Sequence, residues 1–387
     1  MRKCVIAALA LLLLVMALPG CGGQSVVKIG LIGEITGSMP AVGKSGETSA
    51  RLAVKKINDS GGIEVGGKKY QVELVVKDSA ADPKKAAAVA TELIDQDGVL
   101  AIVGPNSSSN AVAAADVADK AGVLLIAPWS TNPTTTIDEK TGKPKKTVYR
   151  ACFTDYFESE ALGKFVRDKL SANTAAVLYD DSTDVLKNQA QLFKKSFEAD
   201  GGKVVALETF KAGATDYSAQ LDRIKAAAPD ILFLPSYYTD VAAQVGQARA
   251  KGITATFIGS DAWSTPDLIK KAGANVEGSY LFNHYSSESP DPLTQEFVQA
   301  YKAEYNNSVP DDVAALTYDS FGLLSKALSN GGALDRAAVL EGMGKVAEYK
   351  GATGTMLFEA GSHDPKKSGV VIQIKDGKFN WFADVAP

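Results

Sequence analysis

Histidine is nearly missing from this 387-residue chain, which carries only His284 and His363. A zinc centre or a histidine-dependent triad draws on that residue first, so neither is easily assembled. Both histidines read as exposed loop or strand-end residues. No Gly-x-Ser-x-Gly run places a serine on a nucleophile elbow. Positive charge is also short, with 41 Lys and Arg against 45 Asp and Glu. Without a basic cluster, nucleic acid is not expected as a partner. Beyond the first twenty residues, no stretch is long and apolar enough to span a bilayer.

The leader is what the chain has instead. Arg2 and Lys3 open it, Val5 to Leu18 is almost unbroken apolar sequence, and Leu18-Pro19-Gly20-Cys21 ends it. The run is too short for a mature spanning helix and has the layout of an export signal. Leu-x-Gly-Cys resembles the lipobox of bacterial lipoproteins, which implies cleavage after residue 20 and lipidation of Cys21. A plain signal peptide with an incidental cysteine is the alternative. Residues 21–26, with Gly22-Gly23-Gln24-Ser25, then form a flexible tether. Cys4 would be lost with the leader and Cys21 would be lipidated, so Cys152 would stand alone with no disulfide framework. Cleavage removes Arg2 and Lys3 but no acid, moving the formal charge from −4 to −6. The 367 residues left exceed what one core usually serves, which points to two domains.

Between the strand-like run Val27–Ile32 and the helical pattern Gly46–Asp59, the loop ends in Gly43-Lys44-Ser45, as a phosphate-binding loop would. That motif needs a glycine five positions before Gly43, where Ser38 stands; Gly37 is one place too early. An exported body also has no ATP supply. The stretch is therefore expected to be an ordinary loop lining a ligand cleft.

Short apolar runs alternate with amphipathic ones through most of the chain. Strands are expected at Val27–Ile32, Gln71–Lys77, Leu100–Val103, Val123–Ile126, Ala175–Tyr179, Lys203–Thr209, Ile231–Leu234, Thr256–Ile258 and Gly278–Phe282. Helical patterns such as Pro83–Gln96, Ser109–Ala121 and Asp184–Ala199 separate them, several with Asp or Thr start signals. This is the pattern of βαβ units, parallel sheets flanked by helices. A polar break over 131–146 divides two such blocks. After Pro290 the chain turns helical and then ends in strands, as if returning to earlier sheets. The α/β architecture expected is two lobes, 27–146 with 285–364 and 147–284 with 365–387, crossed near Thr147, His284 and Asp364. Ligands of open parallel sheets bind beyond the carboxyl ends of the strands, so the cleft between lobes is the expected site.

Four loops at strand ends carry the chemistry. Gly104-Pro105-Asn106-Ser107-Ser108-Ser109 runs into an alanine-rich helix, where hydroxyls and free N–H groups suit an anion. A simple N-cap with serine filler would look the same. Ala127-Pro128-Trp129-Ser130-Thr131 adds hydroxyls and an aromatic ring; Pro235-Ser236-Tyr237-Tyr238 and Gly259-Ser260-Asp261-Ala262-Trp263 do so in the second block. With Ala53-Val54-Lys55-Lys56-Ile57-Asn58-Asp59-Ser60-Gly61-Gly62-Ile63, Lys77-Asp78-Ser79-Ala80-Ala81-Asp82-Pro83 and Gln247-Ala248-Arg249-Ala250-Lys251-Gly252, their order resembles the branched-chain amino-acid solute-binding proteins. The resemblance implies a two-lobed type I periplasmic binding protein, monomeric and without cofactor or metal, that passes its ligand to an ABC permease. By position, Ser107, Ser108 and Thr131, with the neighbouring Ser130, would hold an α-carboxylate. Asp261, the Thr131 hydroxyl and the Trp129 carbonyl would hold the α-ammonium, and Tyr237 would close from the second lobe. The family's first-loop aromatic is Val42 here and its later tyrosine is Asp184, so side-chain specificity is where the chain departs.

Two other functions compete. An enzyme must find a nucleophile with a base, and Ser108 has no histidine in its motif; Asp180-Asp181 reads as solvent-facing. A sensory lobe for an amide or another small polar solute would share the fold, but would call for a spanning helix or signalling domain, and the sequence to Pro387 shows neither.

Overall fold

The structure, a computed structural model, describes residues 25–387. The leader, Cys21 and nearly all of the expected tether lie outside the described residues. The chain first forms β1 (Val26–Gly33), α1 (Pro40–Asp59), β2 (Ile63–Val65), β3 (Lys68–Asp78), α2 (Pro83–Asp95), β4 (Ala101–Val103), α3 (Ser108–Ala121), β5 (Leu124–Ala127) and β6 (Val148–Arg150). These six strands make one sheet in the order β2-β3-β1-β4-β5-β6, parallel except at β2. Next come α4 (Asp155–Asp168), β7 (Thr174–Asp180), α5 (Asp184–Ala199), β8 (Lys203–Phe210), α6 (Ser218–Ala227), β9 (Ile231–Leu234), α7 (Tyr238–Ala250), β10 (Thr256–Gly259), α8 (Pro266–Ala272) and β11 (Tyr280–Asn283). The last part holds α9 (Pro292–Glu304), α10 (Asp312–Gly331), α11 (Arg336–Gly344), the hairpin β12 (Glu348–Gly351) and β13 (Gly354–Leu357), then β14 (Gly369–Lys375) and β15 (Lys378–Val385). The second sheet runs β15-β14-β11-β10-β9-β7-β8 and is parallel from β11 to β8.

Side chains alternate across a strand, so a strand buried on both sides feeds two cores. Leu124 and Ile126 of β5 join the core under α1 and α10, while Leu125 and Ala127 face α2 and α3. In β7, Ala176 and Leu178 face one way, and Ala175 and Val177 pack with α4 and α5. Capping fixes where helices begin: Asp82 accepts the Lys84 N–H at 2.8 Å ahead of Pro83, and Asp311 caps α10 through the Ala314 N–H at 2.9 Å.

Several elements differ from expectation. α1 starts at Pro40, not Gly46, because proline at the first helical position is already set to the helical φ. Gly43-Lys44-Ser45 therefore sits inside a helix and not in a cleft-lining loop. A Cβ on Gly43 would lie 2.2 Å from the Glu34 backbone, so this glycine permits close helix–strand approach. β2, β6 and β12 were not anticipated; at three or four residues they are too short to show a period. β6 falls in a stretch assigned by sequence to the second lobe, yet it pairs with β5 at the edge of the first sheet.

The chain passes between the sheets after β6, after β11 and between β13 and β14. Arg150, wholly buried, knots two of these passages together. Its guanidinium donates to Asp364 Oδ1 (2.6 Å), to the carbonyls of Ser130 (2.5 Å) and Asn132 (2.8 Å), and to Thr136 Oγ1 (2.9 Å). Nearby His363 stacks on Tyr149 with ring centroids 4.0 Å apart, so it is no free loop residue. Cys152 is buried beside them and unpaired.

Candidate functional site

Ser108, Trp129 and Thr131 follow strands of the first sheet; Tyr237 and Asp261 follow strands of the second. All five line one narrow cavity, with Asp155, Val185, Leu186, Gln189 and Ala262. Its walls stand close together, leaving about 20 Å³ that the centre of a water-sized sphere can reach. Every lining residue stands beyond the carboxyl end of a strand, where ligands of open α/β sheets bind. The Trp129 and Tyr237 rings lie tilted at 46° with centroids 6.5 Å apart. A larger, more open hollow lies between Tyr285, Val309 and Phe379. Of the acids in its wall, Asp311 and Asp312 are already committed to Ser45, Ser264 and Trp129, and Glu288 accepts the Trp381 N–H.

Three expected residues do not reach the cavity. Ser107 is turned inward, where its N–H and hydroxyl both donate to Glu34 Oε1 at 2.8 Å. A buried carboxyl of the chain itself thus takes both donors of the residue that caps α3, and Ser108 is left to face the cavity. Ser130 is buried against Thr135, hydroxyl to hydroxyl at 2.6 Å. Asp184 is exposed at the first turn of α5, and the next residues, Val185 and Leu186, form the wall. Val42 is core-buried and does not line the cavity.

The acids around the cavity form a cluster that sequence reading missed. Asp155 and Glu158 sit three apart in the first turn of α4, both buried. Glu158 Oε1 accepts the Asp261 N–H at 2.9 Å, and Oε2 accepts from Gln189 Nε2 at 2.8 Å. Asp261 Oδ2 meets His284 Nε2 at 3.0 Å. His284 is buried, not exposed as expected, and burial holds it neutral, well below its ordinary pKa. Asp312 accepts from the Trp129 indole N–H at 2.8 Å and from the Ser264 hydroxyl, joining α10 to the loop after β10. Burial pushes the Asp155 carboxyl up to about 6, although the Thr131 hydroxyl and Arg150 pull it back. Asp312 rises to about 7, through burial and then its neighbour Asp311. Burial, then the nearby Glu158, Asp312 and Asp155, hold Asp261 well above the carboxylate range. Asp155 Oδ2 has no hydrogen-bond partner. Desolvated carboxyls crowded in this way favour an incoming cation, which lets them ionise.

Signals for the missed residues exist in the sequence. Gln189 is a polar residue on the apolar stripe Leu186, Ala190, Phe193, Phe197, and Asp155 with Glu158 put two acids on the inner face of a helix start.

The profile of the periplasmic binding proteins matches residues 26–378. The chain belongs to that family. Among relatives of this binding protein is the leucine-, isoleucine-, valine-, threonine-, and alanine-binding protein of Pseudomonas aeruginosa, 29% identical over 349 residues, 89% of this chain and 90% of that one. A leucine-binding protein from Thermotoga maritima superposes with a TM-score of 0.86 at 31% identity, covering 94% of this chain and 99% of the other. The branched-chain amino acid transporter substrate-binding protein of Streptococcus pneumoniae, solved with isoleucine, gives 0.85 at 33% identity with the same coverage. The two-lobed architecture of parallel sheets flanked by helices is common to them.

Proposed function

We propose that this binding protein captures an α-amino acid between its lobes and delivers it to an ABC permease, without catalysis. The observation that carries the reading is the cavity lining: the hydroxyls of Ser108 and Thr131, the carboxyls of Asp155 and Asp261, and the Trp129 and Tyr237 rings. Such a cavity matches a zwitterion, with its carboxylate at the start of α3 and its ammonium among the acids. The relatives named for branched-chain and other amino acids support the same class. A binding protein of this family works outside the cytoplasm, and we propose that this one is held at the membrane by acyl chains on Cys21. Lobe 1 would comprise 27–150 with 285–364, and lobe 2 the remainder; the monomer is the working unit.

A thermal-shift screen of the twenty amino acids identifies the ligand, and calorimetry on Asp261→Ala then tests the site. Leaving a desolvated ammonium unpaired costs about 3–5 kcal/mol, so affinity should fall about 10²–10³-fold or more. A variant that binds within a few-fold of wild type would sink the assignment.

A further inference from the structure

Each polar group of the cavity but one has a place in holding the part common to all α-amino acids. Ser108 and Thr131 face the carboxylate, Asp155 and Asp261 the ammonium, and Tyr237 closes over the ligand. Gln189 is left over. It lies one turn along α5 from Val185 and Leu186, which line the same wall. That wall is apolar except for its amide.

Which way the amide faces is decided from behind. Gln189 Nε2 donates to Glu158 Oε2 at 2.8 Å, while the other Glu158 oxygen holds the Asp261 N–H at 2.9 Å. Glu158 is wholly buried and does not itself line the cavity. A carboxylate only accepts, so it binds the amide through its NH₂ and turns the carbonyl oxygen the other way, toward the cavity.

We propose that Gln189 selects the ligand's side chain: its carbonyl takes a hydrogen bond from a side-chain O–H or N–H, Val185 and Leu186 cover the apolar part, and Glu158 is the positioning residue that fixes the amide. With Glu158 ionised, the ligand class is a small amino acid with a donor near its Cβ, as in threonine, in preference to a purely aliphatic one. This inference rests on the amino-acid reading above. It moves the specificity role expected of Asp184 one turn along the same helix, from an exposed position to a buried one.

Glu158 also makes the selection depend on pH. Facing it are Asp155 on its own helix, Gln189 on α5, Asp261 after β10 with its partner His284, and Asp312 on α10. Burial first, and Asp155 next, raise the Glu158 carboxyl. Once protonated, Glu158 has an O–H to give, and the amide can turn so that its carbonyl accepts it. The cavity then meets NH₂ in place of C=O, and a donor-bearing side chain loses its advantage.

Threonine and valine are near-isosteric probes that differ in the hydroxyl. Calorimetry with both, at pH 9 and pH 6, should show wild type preferring threonine by about tenfold or more at pH 9, with a smaller preference at pH 6. Gln189→Leu should abolish the threonine preference while valine still binds. Glu158→Gln, whose own amide can give or accept, should reduce the preference and flatten its pH dependence. A threonine-to-valine ratio unmoved by Gln189→Leu overturns the inference, as does an equal weakening of both ligands, which would place the amide on the common part. If neither these nor any other amino acid binds, the amino-acid reading itself falls and takes this inference with it.

Discussion

Carboxyl groups lifted toward neutrality give the cavity a sign that stability measurements can read. Asp155 and Asp312 rise from an ordinary 3.8 to about 6 and about 7 because they are buried. The native state therefore holds protons that the unfolded chain has released. Their contribution to stability is complete below about pH 4 and is lost as pH climbs through 6 and 7. His284, pushed down by burial, works in the opposite direction only below its ordinary 6.5. Between about pH 6.5 and 7.5 the carboxyls dominate, because buried Lys367, lowered to about 8, opposes them only as pH nears that value, and the melting temperature of the ligand-free protein should fall. A bound ammonium favours the ionised carboxyls, so the fall should flatten when the ligand identified by screening saturates the protein. Thermal melts at several pH values check both halves; a free protein that gains stability across this window contradicts the assigned burial. The residues concerned were only partly legible. Asp261 stands out in a loop beside a tryptophan, whereas Asp155 and Glu158 look like first-turn acids satisfying a helix dipole. Only the sheet that packs over them reveals that they face inward.

Among the elements, those with an unbroken apolar run or a long apolar stripe were readable, and short strands with neither were not. Ile231–Leu234 and Asp184–Ala199 have the bounds their patterns gave, since each carries a full apolar run or stripe. β6 carries two apolar residues and an arginine, and its place in the first sheet depends on β5 alongside it. The start of α1 was obscured by three glycines, which read as loop. One of them, Gly43, is inside the helix because nothing larger fits against Glu34. Gly43→Ala should then destabilise the protein by about 1–3 kcal/mol through overpacking, despite alanine's better helix propensity. Chemical denaturation measures it. An unchanged or raised midpoint would show that α1 can move away from β1 freely.

For the whole molecule, two sheets joined by three passages make a clamp whose halves can turn about a common seam. Arg150 holds two passages as one unit, so closure is expected as a rigid rotation of lobes, with little bending inside either. Scattering with and without saturating ligand should show a smaller radius of gyration when bound; identical curves would argue against closure. Its place in the cell is a separate matter of the leader. Cys21→Ala should stop incorporation of labelled fatty acid and release the protein from the membrane fraction, and continued labelling would rule out Cys21 as the anchor.

The chain's three tryptophans are unevenly placed. Trp129 forms a wall of the cavity and hands its N–H to Asp312; Trp263 lies buried two residues past Asp261, bonded to the Leu234 carbonyl at 3.1 Å; Trp381 is about half exposed on the last strand. Indole emission follows the polarity around the ring. Trp129 thus sits where filling the cavity changes its surroundings, while Trp263 and Trp381, which do not line it, supply a steadier background. The molecule comes with an optical gauge of its own occupancy, and titrations can be followed by light without attaching a dye.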